Sequence, residues 1–177
     1  LSLRRQRQMC IRDRIEPLKI PAMSAVVNQS RPESRGSIHI RTAEVSDAPE
    51  IHANYLSADL DRQTIIKGVR LLLDIFSAEP LQDHLTGRLS PGPDIDTSSD
   101  DELLEYIRGD ASTVYHPTST CSIGKVVDEN LFVQGVSGLS IADASVMPYV
   151  VSGNTNAAAI MIGEKASDIL KESNQTP

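Results

Sequence analysis

The chain has 177 residues, 40% of them apolar, enough for one ordinary core or for a piece of a larger protein. Aromatics make up only 3%, Trp is absent and the net charge is −7, which argues against stacking platforms for single strands and against phosphate-backbone binding. Cys10 and Cys121 stand far apart in unlike contexts and give neither a disulfide framework nor metal-ligand spacing, and no apolar run approaches the roughly 20 residues of a membrane span.

Residues 1–14 begin without Met, crowd five arginines together and lack the apolar stretch of a secretory signal. They read as a non-native leader, similar to translated adapter sequence; a basic arm for nucleic acid or lipid is the other reading. Ile15 to Ala22 carries two prolines and reads as irregular. Met23–Val27 and the alternating Ser37–Arg41 are predicted as an antiparallel strand pair joined by a polar loop, with His39 on the exposed phase. Asp47–Tyr55, with Pro49, reads as a loop.

From Asp59 to Ala78 the period becomes helical: Ile65, Val69, Leu72, Leu73 and Phe76 recur at three- and four-residue steps. Pro80 falls just beyond, where proline is tolerated. Ser99-Asp100-Asp101-Glu102 has the form of a capping box. It opens a short helix with Leu103, Leu104 and Ile107 on its inner face and Gly109 as the stop. A last helix is predicted from a cap at Asn154 or Thr155 to about Leu170, with its strongly apolar start buried. The tail from Ser173 should fray.

Residues 115–157 are the least generic stretch. His116 stands between Tyr115 and Pro117, and histidine suits a general base for an alcohol proton. A structural histidine bonding backbone carbonyls is the other reading. Asn154 reads either as an ordinary cap or as an amide aimed at a substrate oxygen. Asp143 closes the strand-like run Leu139–Ala142, either as a turn residue or in a turn contacting a cofactor's phosphate or ribityl chain. Cys121, between Thr120 and Ser122, reads as packing rather than as a nucleophile.

The motifs in this stretch are Tyr115-His116-Pro117-x-x-Thr120-Cys121-x-x-Gly124, Val127-Asp128, Gly135-Val136-x-Gly138-Leu139, Ala142-Asp143-Ala144-Ser145-Val146-Met147-Pro148 and Ser152-Gly153-Asn154-Thr155-Asn156-Ala157. Together they resemble the C-terminal signature of the glucose–methanol–choline oxidoreductases, nearest the choline and alcohol dehydrogenase branch. Arg31-Pro32-x-Ser34-Arg35-Gly36, Asn54-Tyr55-Leu56 and Leu89-x-Pro91-Gly92-Pro93 extend the resemblance, which covers about residues 24–172.

The resemblance implies an α+β fold within a family that is α/β at full length. An antiparallel substrate-domain sheet with flanking helices would stand beside the last segments of a Rossmann-like FAD domain. The implied layout is a leader at 1–14, a substrate-domain segment at 15–114, a catalytic and FAD-contacting segment at 115–172 and a tail at 173–177. It implies FAD as cofactor and His116 as base assisted by Asn154. FAD contacts are implied at Asp143, Ala144, Asn156 and Ala157, with no metal.

The expected substrate is a small primary alcohol, choline-like or aliphatic, oxidised to the aldehyde, with oxygen or a quinone as the electron acceptor. No nucleic-acid partner is expected. Thr118-Ser119 replaces the family's usual Val-Gly, and Ser122-Ile123 stands where a basic residue and Met are common. No GxGxxG turn is present, so the expectation is the C-terminal part of a longer enzyme, poorly able to bind FAD alone. A short binding protein without catalysis and a lyase on the same scaffold are the alternatives. The compartment stays open, with the cytoplasm as default.

Overall fold

The computed structural model describes residues 20–173, so the leader, the first part of the irregular Ile15–Ala22 segment and the last four residues of the tail lie outside the described residues. Strands β1 (Ser37–His39) and β2 (Glu50–His52) pair antiparallel with Ile38 opposite Ile51. Two expectations change here. Met23–Val27 forms no strand, and the partner of β1 lies inside the stretch expected as a loop. The ribbon is exposed on both faces, so no alternation of burial marked it, and β1 ends at His39 rather than Arg41.

Gly36 sets the approach to this ribbon. A methyl added there would sit 2.1 Å from the His52 carbonyl oxygen. Backbone must move to admit it, so Gly36→Ala should cost about 1–3 kcal/mol, within the range for overpacking. Chemical denaturation checks the figure; a stability equal to wild type would show that the ribbon yields freely.

Helix α1 (Asp59–Ser77) follows the predicted period. Its fully buried apolar residue is Ile66, one step from the predicted stripe; Ile65 and Val69 pack beside it, and Leu72, Leu73 and Phe76 are half-buried. Pro80 lies in the first turn of a short helix, α2 (Glu79–Gln82), where its missing N–H costs nothing. Helix α3 (Asp100–Asp110) starts as predicted, with Ser99 Oγ accepting from the Glu102 N–H at 3.3 Å. The box is half closed, because the Glu102 carboxylate accepts from the Asp96 N–H rather than from Ser99. Gly109 does not stop the helix; it runs one residue further and closes through the Ala111 N–H on the Ile107 carbonyl at 2.8 Å. Leu103 and Ile107 meet Ile66 to form the first core. Arg70 fastens α1 to the start of α3, pairing with Asp100 at 2.6 Å and donating to the carbonyls of Thr97 and Ser98.

The second core joins Val127, Leu131, Val146, Met147, Ile162 and Ala166. Irregular backbone supplies most of it. Asp128 organises one turn by accepting from the N–H groups of Asn130 and Phe132, both at 2.9 Å. The predicted strand-like run Leu139–Ala142 contributes one bridge, Ser140 to Phe132. Helix α4 spans Asn156–Ser173, three residues beyond the expected end. Its apolar start is exposed, not buried: Ile160 is 60% and Met161 58% exposed. The face that packs inward carries Ile162 and Ala166, four residues apart, and Ile160 and Met161 fall off it.

Candidate active site

His116 lies in a loop bracketed by two residues in the left-handed region, Tyr115 at φ 62° and Ser119 at φ 75°. Each costs about 1–3 kcal/mol for a residue with a side chain, and such strain persists where surrounding contacts hold it. Those contacts are visible. The Tyr115 N–H donates to Thr113 Oγ1 at 3.0 Å, and the Thr118 and Ser119 hydroxyls bond each other at 2.9 Å. Just downstream, the N–H groups of Cys121 and Ile123 donate to the carbonyls of Ser145 and Val146, both at 2.9 Å. The loop carrying His116 is thereby tied to the 3₁₀ turn Ala144–Val146.

The ring of His116 is half-buried, with Nδ1 2.9 Å from Thr155 Oγ1. Thr155 immediately precedes α4, and its carbonyl accepts the first backbone bond of that helix, from the Ala159 N–H at 2.9 Å. Thr155 thus holds the N-cap position, but its hydroxyl bonds the histidine and accepts from no first-turn N–H among the described residues. The N–H groups of Asn156, Ala157 and Ala158 find no acceptor among the described residues, as at an uncapped helix start.

The other predicted residues surround this pair unevenly. Asn154 is exposed, adjoins Thr155 in sequence, and makes no side-chain hydrogen bond among the described residues. Asn156 and Ala157 are exposed on the first turn of α4. The Asp143 carboxylate accepts from the Ser145 N–H at 2.7 Å and so caps its own turn, while half-buried Ala144 packs on the second core. Cys121 is a free, half-buried thiol. No group of His, Cys, Asp or Glu able to hold a metal occurs among the described residues, and no helix among them is long and apolar enough to cross a membrane.

Sequence reasoning missed Thr155 as the partner of His116, since 39 residues separate them. It also missed the fastening of the loop beside Asn154. Arg31 Nε donates to Ser152 Oγ at 3.0 Å, and the Arg35 guanidinium lies 5.8 Å from the centre of the Tyr149 ring. These contacts line a cleft between the 31–35 and 149–152 segments.

The GMC oxidoreductase family model matches residues 32–163, which hold His116 and the start of α4. An alcohol dehydrogenase [acceptor] from Pseudomonas putida is 43% identical over 143 residues, 78% of this chain and 26% of that protein. The mitochondrial choline dehydrogenase of Mus musculus is 40% identical over 162 residues, covering 88% and 27%. A formate oxidase from Aspergillus oryzae, studied for its FAD modification, superposes with a TM-score of 0.76 at 29% identity, over 88% of this chain and 29% of that one. The chain thus spans about a quarter of the curated relatives it matches. The family match takes in the first core, the loop carrying His116 and the second core as far as Ile162, and the chain belongs to the GMC oxidoreductases, a family that uses FAD.

Proposed function

We propose that this chain carries the substrate-facing residues of an FAD-dependent oxidoreductase that converts a primary alcohol, choline-like or aliphatic, to its aldehyde. The observation that carries the reading is the fixing of His116 beside the start of α4. The residues fit such a cofactor. The N–H groups of Asn156, Ala157 and Ala158 are uncapped, the small side chains of Ala157 and Ala158 leave room for a flat ring, and a helix N-terminus favours negative charge on it. Asn156 and Ala157 would hold FAD there, with Asp143 and Ala144 at the neighbouring turn. Bound FAD supplies the two-electron acceptor for the hydride leaving the alcohol carbon.

His116 takes the hydroxyl proton in the same step. Its Nδ1 is engaged by Thr155, which leaves Nε2 for the substrate. Exposed Asn154, adjacent in sequence to Thr155, offers an uncharged N–H donor to the oxygen as negative charge develops on it. The relatives named for alcohol and choline support this substrate class.

Aldehyde formation from choline and from aliphatic primary alcohols, assayed on the FAD-loaded enzyme with an artificial electron acceptor, tests the reading. No aldehyde from any of them would overturn it. Asn154→Ala should lower kcat by about 100-fold, the effect of deleting one donor to a developing oxyanion. Unchanged kcat in that variant would remove Asn154 from the site.

A further inference from the structure

We infer that Thr155 is the positioning residue of His116, holding the imidazole in the tautomer that leaves Nε2 free to accept a proton; this rests on the reading of His116 as the base. Three observations carry it. The Nδ1 to Oγ1 distance of 2.9 Å is that of a formed hydrogen bond, in a part-buried setting. It is the only hydrogen bond of the His116 ring among the described residues. Thr155 is itself anchored, because its carbonyl accepts the first bond of α4 and its β-branched side chain is stiff at χ1.

The chemistry follows from the two ring nitrogens. Neutral imidazole carries one proton, and the Thr155 hydroxyl can either accept from Nδ1–H or donate to a bare Nδ1; the acceptor role is the one assigned to it. Free histidine in water favours the proton on Nε2, and that form cannot accept another proton there. A hydroxyl oxygen that accepts from Nδ1–H reverses the preference and turns the Nε2 lone pair outward. When Nε2 takes the substrate proton, the same oxygen continues to accept from Nδ1–H. The left-handed residues on either side set the backbone of the His116 loop, and this contact is the hydrogen bond that acts on the ring itself.

The test has two readouts. The first is the tautomer of His116 in the 15N-labelled 177-residue chain, read from long-range proton–nitrogen correlations. The Nδ1–H form is expected in the wild type and in Thr155→Ser, and its loss in Thr155→Val. The second is turnover of the FAD-loaded enzyme. Thr155→Val should lose about 10- to 100-fold in kcat, as when a partner fixing a histidine tautomer is removed, with KM little changed. Thr155→Ser should recover most of it. An Nε2–H tautomer in the wild type, unchanged kcat in Thr155→Val, or equal damage in Thr155→Ser would overturn the proposal. Wild-type turnover in His116→Ala would overturn the base reading and this proposal with it, whereas an Nε2–H tautomer in an enzyme that His116→Ala inactivates would overturn the proposal alone.

Discussion

His116→Ala is expected to lower the turnover of the FAD-loaded enzyme by about 100- to 10,000-fold, the range spanned by a positioned general base. The loss should fall on kcat, because a general base acts on the proton that moves in the transition state rather than on ground-state binding. His116 sits in a strained loop already tied to the 3₁₀ turn by the Cys121 and Ile123 N–H groups, so truncating the ring should leave the second core intact. Equal thermal midpoints with collapsed turnover are therefore predicted. Steady-state kinetics beside a melting curve decide the matter; normal kcat in the variant would remove His116 from the chemistry.

Asp61→Ala is expected to lower stability by about 2–4 kcal/mol, since it empties a buried position and strands three part-buried donors at once. Asp61 lies in the first turn of α1 and is only 2% exposed. Its carboxylate accepts from the N–H groups of Glu33 at 2.9 Å and Ser34 at 2.8 Å, and from the Gln29 amide at 3.2 Å. It thereby pins residues 29–34 onto the helix. Ser34 Oγ adds to the latch by accepting from the Ala58 N–H at 3.0 Å. Burial pushes the Asp61 carboxyl up, but the bonds from the Ser34 hydroxyl, the Glu33 and Ser34 N–H groups and Gln29 outweigh it, and its pKa is lowered overall.

The sign of the pH effect follows. A carboxyl lowered in the folded state stabilises fully above its unfolded pKa of about 3.9, and that contribution is lost as pH falls through the lower folded value. Wild type should therefore lose part of its stability in that acid window, while Asp61→Ala, lacking the group, should be flatter there. Urea unfolding at a series of acid pH values measures both; parallel curves for the two proteins would contradict the latch. The same latch reaches toward the site, because Arg31 within the pinned segment bonds Ser152, two residues before Asn154.

Periodicity carried the helices because their inner residues recur locally. The α1 stripe and the Leu103–Ile107 face of α3 needed no knowledge of distant segments, and the Ser99 cap was legible for the same reason. The ribbon was not legible. Glu50–His52 is three exposed residues beside a proline, a pattern indistinguishable from a loop until Ile38 is set opposite Ile51. Asp61 was hidden because an acid in a first helical turn already has a reason to be there, its attraction to the helix dipole. Only donors 27 to 32 residues away reveal its burial.

The candidate site was half legible. His116 and Asn154 stood out by residue type and by resemblance, yet the hydroxyl that touches the histidine belongs to Thr155, one residue along. Local sequence assigns a threonine before a helix to capping, and only tertiary contact turns it to the ring. The start of α4 was misjudged for a related reason. An apolar run of alanines and isoleucine reads as buried, but the helix rotation set by Ile162 and Ala166 leaves Ile160 and Met161 facing outward.

Anaerobic rapid mixing of the FAD-loaded enzyme with choline or an aliphatic primary alcohol is the most direct trial of alcohol oxidation at this site. The oxidised-flavin absorbance should disappear in a single turnover, with aldehyde formed in step with it. A flavin that stays oxidised while the alcohol binds, or is converted without reducing it, would contradict the account.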